Sequence, residues 1–195
     1  MEKNEMTPEK SLQIISEAIA RSRKDFEKSA GTPLIIWGTT VLFFSLIIWI
    51  LLKESGDARW NYLWFGIPAI GLPISRIVLK GREKNEPENF ISRTLAHIWI
   101  TYGIFATTLA ATFVLITPQQ TSSIGILTAA LLGFAAVMTG MVLKNRIIIV
   151  GGFITGIGCT VALFFMDGWD SSLLFAAAAA INLIVPGAIM NKKAK

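Results

Sequence analysis

The chain has 195 residues, of which 53% are hydrophobic and 16% are charged, and its formal net charge is +5. Disorder requires low hydrophobicity, so this composition excludes an intrinsically disordered chain, and a single cysteine, Cys159, excludes a disulfide scaffold. A net positive charge is compatible with nucleic-acid binding, so the positions of the basic residues have to show whether the charge indicates that function.

Residues 1–31 predict a cytoplasmic amphipathic helix ahead of the apolar part of the chain. The sequence Thr7-Pro8-Glu9 is a typical helix start, with an N-cap threonine, proline at the first helical position and an acid in the first turn. An apolar face then recurs at helical spacing, formed by Leu12, Ile15, Ile19 and Phe26. The opposite face carries Glu17, Arg21, Lys24 and Lys28. Gly31 is expected to cap this helix and Pro33 to begin a new one.

Residues 32–191 predict a bundle of six transmembrane helices arranged as three antiparallel hairpins. A spanning helix needs about 20 mostly apolar residues. Six stretches meet this requirement, at residues 33–52, 60–79, 94–116, 123–143, 147–166 and 171–190. Short polar connections separate them, and residues 192–195 form a basic tail. The fold class is therefore an all-α membrane protein.

The charge distribution predicts that both termini are cytoplasmic. With this orientation, all of the 18 basic residues except Lys53 and Arg59 fall on the inner side. An excess of lysine and arginine on cytoplasmic segments is the strongest topological signal of membrane proteins. The six tryptophans also fall near the ends of the predicted spans, where their amphipathic rings are favoured. The positive charge therefore predicts the orientation of the chain in a membrane and does not predict a nucleic-acid partner.

Two interpretations of the N-terminal helix remain open. It could lie flat on the inner leaflet with its apolar face towards the lipid. It could instead bind protein through residues 8–29, either a partner or a second copy of the chain. Residues 8–29 carry five basic and four acidic side chains, so strong electrostatic attraction to lipid is not encoded.

Polar residues in the spans suggest one candidate path or headgroup site. On a helical wheel the third span places five of them within about 100° of arc: Arg93, His97, Thr101, Thr108 and Thr112. Arg76, near the inner end of the second span, could meet Arg93 and His97 around an anion. The alternatives are threonine hydroxyls bonded to their own backbone and arginine reaching the lipid headgroups. Asn182, near mid-membrane, predicts a hydrogen bond between helices.

Small residues in the fourth and fifth spans predict close helix packing. Gly152 and Gly156 form a GxxxG pattern, and Gly133 and Gly140 belong to small-xxx-small patterns. Such residues let helix backbones approach closely. Close packing is important in a membrane because lipid is as apolar as the side chains, so the hydrophobic effect does not drive helices together. The sequence places these contacts within one bundle or between subunits.

The groups needed for most enzymatic chemistry are missing from the predicted spans. All 13 acids lie outside them, and the chain has one histidine and one cysteine. Coupled transporters usually keep a carboxylate inside the bilayer, and a metal site needs several clustered ligands. No cofactor or metal is therefore expected.

The N-terminal quarter resembles a group of small polytopic bacterial inner-membrane proteins with no assigned activity. The similar residues are Thr7-Pro8-Glu9-Lys10-Ser11-Leu12, then Ile14-Ile15, and the Ile36-Trp37-Gly38 entry into the first span. The resemblance implies a bacterial inner-membrane location and carries over no catalytic residues. The sequence thus predicts a non-enzymatic partner-binding or regulatory membrane protein. The alternative is a small transporter or channel with a polar path along the third span, and a lipid-modifying enzyme is the third and weakest interpretation.

Overall fold

The structure, a computed structural model, describes residues 8–80, 90–116, 123–162, 165 and 170–194. It is all-helical, with 96% helix and no strand among these residues. The helices are α1 (Pro8–Ser55), a 3-10 helix (Ala58–Phe65), α2 (Gly66–Leu79), α3 (Phe90–Ala111), α4 (Ile124–Leu143), α5 (Arg146–Ala162), α6 (Ser171–Ala179) and α7 (Val185–Ala194). Two π-helical segments, Thr112–Ile116 and Ala180–Ile184, extend α3 and join α6 to α7.

Four helices are long and apolar enough to cross a membrane: Ala30–Ser55, Phe90–Ile116, Ile124–Leu143 and Ser171–Lys192. The other two predicted spans correspond to shorter elements. Residues 60–79 are divided between the 3-10 helix and α2, and residues 147–162 belong to α5. Residues 163, 164 and 166 of the predicted fifth span lie outside the described part of the chain.

The expected break between the N-terminal helix and the first span does not occur. α1 is one helix from Pro8 to Ser55 and contains Pro33. Gly31 does not cap a helix but lies against α7, where a Cβ atom on Gly31 would be 2.8 Å from the carbonyl oxygen of Gly187. The glycine therefore serves close packing, which the local sequence pattern could not reveal.

The helix contacts do not confirm the predicted grouping into three hairpins. α2 packs back on α1 and α3 packs on α4, as the first two predicted hairpins require, but the tightest hairpin joins α4 and α5. The last span, however, packs mainly on α1 and α4, and it reaches α5 mainly through the π-helical segment Ala180–Ile184. α1 is consequently the central helix of the bundle, in contact with α2, α3, α6 and α7.

The α4–α5 hairpin is closed by a two-residue turn. Lys144 adopts a left-handed conformation, with φ of 54°, and its backbone N–H donates to the carbonyls of Gly140 and Met141. The N–H of Asn145 donates to Gly140 at 2.9 Å. A residue in this conformation commonly ends a helix because the reversed backbone satisfies its last carbonyls.

One end of the bundle is marked by a small apolar cluster and by exposed basic side chains. The cluster contains Ala30, Ile91, Leu95, Ala136, Leu143, Ile148 and Met190, and Phe26 of α1 packs against it. This end, where α2, α4 and α7 finish and α3 and α5 begin, is called the basic end below. Its exposed cations in the described chain are Arg76, Lys80, Arg93, Lys144, Arg146 and Lys192.

Candidate functional site

The polar residues of the third span lie on the outer face of α3. Arg93, His97, Thr101, Thr108 and Thr112 are all exposed. The buried residues of this helix, Ile91, Leu95 and Ala110, lie on the side that packs against the bundle. The hydroxyl of Thr112 donates to the carbonyl of Thr108 at 2.9 Å, so it is satisfied by its own helix. This row of polar residues on α3 therefore does not line a path through the interior of a single chain.

α3 is also the most peripheral of the four long spans. Of its most apolar 18 residues 11% are buried, compared with 61% for α4. The exposed polar stripe is interrupted by large apolar side chains, including Ile100, Ile104 and Phe105. Such a mixed surface is typical of a helix that faces lipid, where a threonine such as Thr112 bonds to its own backbone.

The three residues of the suggested anion site, Arg76, Arg93 and His97, are divided between two helices. Arg76 lies on α2, which packs on α1 and on the 3-10 helix, whereas α3 packs chiefly on α4 and α1. All three side chains are exposed, and α2 and α3 share no extensive interface. In the described residues, α2 and α3 therefore form no shared surface that could hold the suggested anion site between the second and third spans.

Asn182 connects the last span to α5. Its Nδ2 donates to Thr155 Oγ1 at 2.7 Å and to the carbonyl of Ala178 at 2.9 Å. The residue is 3% exposed and sits in the π-helical segment Ala180–Ile184. Its Oδ1 is buried and has no hydrogen-bond partner among the described residues. The amide thus bridges two helices whose remaining contact is limited.

All four glycines predicted to pack helices lie in or beside the α4–α5 contact, and three of them have no room for a Cβ atom; the backbone of Gly156 lies close to Gly133. A Cβ atom on Gly133 would be 2.7 Å from the carbonyl oxygen of Gly152, and one on Gly152 would be 2.7 Å from that of Gly133. A Cβ atom on Gly140 would be 2.7 Å from Ile149 Cγ1. Gly156 differs, because a Cβ atom there meets nothing closer than 3.8 Å.

The N-terminal half of α1 presents an uncovered apolar surface. Leu12, Ile15 and Ile19 are 67%, 55% and 43% exposed, and they are called the α1 stripe below. They share a helix face with Phe26 and Ala30, which pack into the basic end. The α1 stripe therefore lies on the same helix face that α1 packs against the core of the bundle, but it extends beyond the bundle.

Arg23 is a feature of this surface that the sequence analysis missed. It lies one helical turn after Ile19, on the side of the stripe. Its Nε is buried and has no hydrogen-bond partner in the part of the chain that the structure describes, although the side chain as a whole is only half-buried. Its spacing of four residues from Ile19 was the available signal, since residues four apart share a helix face.

Within the described ranges, no group of three or more histidine, cysteine, aspartate or glutamate side chains is placed to hold a metal ion. Comparisons of the chain with family models, curated proteins and solved structures find no match.

Proposed function

We propose that the chain is a non-enzymatic, six-span protein of the bacterial inner membrane that docks a cytoplasmic partner through the N-terminal half of α1. The observation that carries this proposal is the exposure of Leu12, Ile15 and Ile19 on a helix that is continuous with a candidate span. A cluster of large apolar side chains exposed to water is unfavourable and marks an interaction surface.

Two features support six spans, with both termini in the cytoplasm. Residues 58–79 are helical throughout, which provides about 22 residues for a second crossing. α5 has 17 residues, the lower limit of the usual range for a spanning helix. The basic end then faces the cytoplasm, whereas Lys53 and Arg59 lie at the other end, in agreement with the positive-inside rule.

The topology can be tested by cysteine labelling in a Cys159→Ala background. Ser55→Cys at the far end of α1 and Ser11→Cys near its start are both labelled with an impermeant maleimide. We expect Ser55→Cys to react in intact spheroplasts and Ser11→Cys to react only after permeabilisation. The reverse pattern would contradict the proposed orientation.

The docking function can be tested by photo-crosslinking in cells. A photoreactive amino acid replaces Ile15, in the stripe, or Lys24, which is exposed on the opposite face. We expect a discrete protein adduct from position 15 and none from position 24. Deleting residues 1–21 should remove the partner but leave the bundle inserted, because Phe26 and Ala30 are retained. Adducts with lipid alone at position 15 would refute the docking function.

A further inference from the structure

The docking function proposed above can be made more specific, because the surroundings of the stripe restrict what can cover it. We infer that the occupant is an acidic amphipathic helix of a cytoplasmic partner. Its apolar face covers Leu12, Ile15 and Ile19, and its carboxylates lie over Arg23 and the basic end. This inference rests on the proposed function and on the orientation given there.

The continuity of α1 argues against a lipid surface as the occupant. Leu12 precedes Ala30, the first residue of the candidate span, by 18 residues, or about 27 Å of helix. The headgroup region on each side of a bilayer adds only about 5–8 Å to the hydrocarbon core. To lie on the membrane, residues 8–29 would have to turn sharply away from the span, and α1 has no break at which to do so.

The direction of the stripe argues against a second copy of the chain. Ile19, Phe26 and Ala30 share one face of α1, and the last two are packed against the chain's own bundle. In the same membrane a second α1 runs parallel to the first, with its own bundle on the stripe side. Bringing the two stripes together would therefore place both bundles in the same volume. The space in front of the stripe is open only from the cytoplasm, above the basic end.

The charges near the α1 stripe then indicate the charge of the helix that binds there. The described part of the basic end exposes six cations, from α2, α3, α4, α5 and α7. Arg23, one turn after Ile19, adds a half-buried guanidinium group whose Nε has no hydrogen-bond partner among the described residues. A guanidinium group pairs most favourably with a carboxylate or phosphate. A helix that is apolar on one face and acidic on the other matches both the stripe and these cations.

Binding can be measured with two synthetic probes and the full chain in nanodiscs of phosphatidylcholine. Both probes are 21-residue peptides with leucine at heptad a and d positions, and their remaining faces carry either glutamate or lysine. Fluorescence anisotropy reports binding. We expect the glutamate peptide to bind at least about tenfold more tightly than the lysine peptide.

Matched variants of α1 separate specific docking from general attraction. Ile15→Ser should weaken binding of the glutamate peptide about tenfold. Ile14→Ser should not, because Ile14 is similarly exposed, at 50%, but points away from the stripe. Arg23→Gln should weaken binding about tenfold, and Lys24→Gln, which removes the same charge from the opposite face, should leave it unchanged. Circular dichroism of each variant checks that the chain remains folded.

Equal effects in either pair of variants, or equal binding of the two peptides, would overturn the inference. A protein adduct at position 15 in cells, together with equal effects of Arg23→Gln and Lys24→Gln, would retain the docking function and reject the acidic helix. Adducts at position 15 that consist only of chain dimers would show that a second copy covers the stripe, and adducts with lipid alone would reject both proposals.

Discussion

Gly31 of α1 and Gly187 of α7 face each other, and the carbonyl oxygen of each lies 2.8 Å from the position that a Cβ atom would occupy on the other. Neither residue has room for a methyl group unless the helices separate. This contact fixes the distance between the first and last spans beside the point where the exposed half of α1 begins.

Gly31→Ala and Gly187→Ala should each destabilise the chain by about 1–3 kcal/mol, the usual cost of overpacking. The gain in helix propensity from glycine to alanine, up to about 1 kcal/mol, offsets only part of this loss. Gly103→Ala is the control, because no atom lies within 4 Å of the added Cβ. Thermal unfolding in detergent measures the difference. Equal midpoints for all three variants would show that the α1–α7 contact is looser than the structure indicates.

The GxxxG pattern of α5 provides a second matched pair. Gly152→Ala places a methyl group 2.7 Å from the Gly133 carbonyl oxygen, whereas Gly156→Ala has no neighbour closer than 3.8 Å. We expect Gly152→Ala to lower stability by about 1–3 kcal/mol and Gly156→Ala to have little effect. Unfolding in increasing denaturing detergent measures both. A larger loss for Gly156→Ala would contradict the observed register of α4 and α5.

The hydrogen bond between Asn182 and Thr155 should be detectable by a double-mutant cycle. Asn182→Ala, Thr155→Val and the double variant are compared by unfolding in detergent. Hydrogen bonds between membrane helices average about 0.6 kcal/mol by this method, so we expect a coupling energy of that size. A coupling energy of zero would mean that the amide contributes only its bond to the Ala178 carbonyl.

Valine substitutions on α3 test whether its threonines form a polar path. Because Thr101 and Thr108 are exposed on the outer face, Thr101→Val and Thr108→Val together should change stability by less than about 0.5 kcal/mol, as is usual for surface positions. Membrane insertion should also be unchanged. Thr128→Val is the comparison, since this hydroxyl is buried in α4 and bonded to Ile124 at 2.7 Å. A marked loss from the α3 pair alone would indicate that another chain covers this face.

The positions of the helices were predictable from hydropathy, because each apolar stretch must satisfy its backbone hydrogen bonds internally. Their neighbours were not predictable in this way. Gly31 follows an amphipathic segment, so the local pattern favours a helix cap. Only the position of Gly187 on α7, more than 150 residues away in the chain, shows why a glycine is needed there.

In the candidate site, too, the sequence predicts which residues share a helix face but not how that face packs. A helical wheel correctly groups Arg93, His97 and Thr101 on one face of α3. The wheel does not say whether that face is turned inward, which depends on the packing of α3 against α4 and α1. Arg23 was overlooked for a related reason, since the burial of its Nε depends on packing that the sequence alone does not show.

The unbroken α1 also has a mechanical consequence. Residues 8–29 form a rod about 33 Å long that is rigidly joined to a span. Spans change their tilt when bilayer thickness changes. By simple geometry, a change of about 10° displaces the Pro8 end by about 6 Å. For an α1 that spans the membrane as proposed, a partner bound at Leu12 and Ile15 would therefore move relative to the membrane surface when the bilayer thins or thickens.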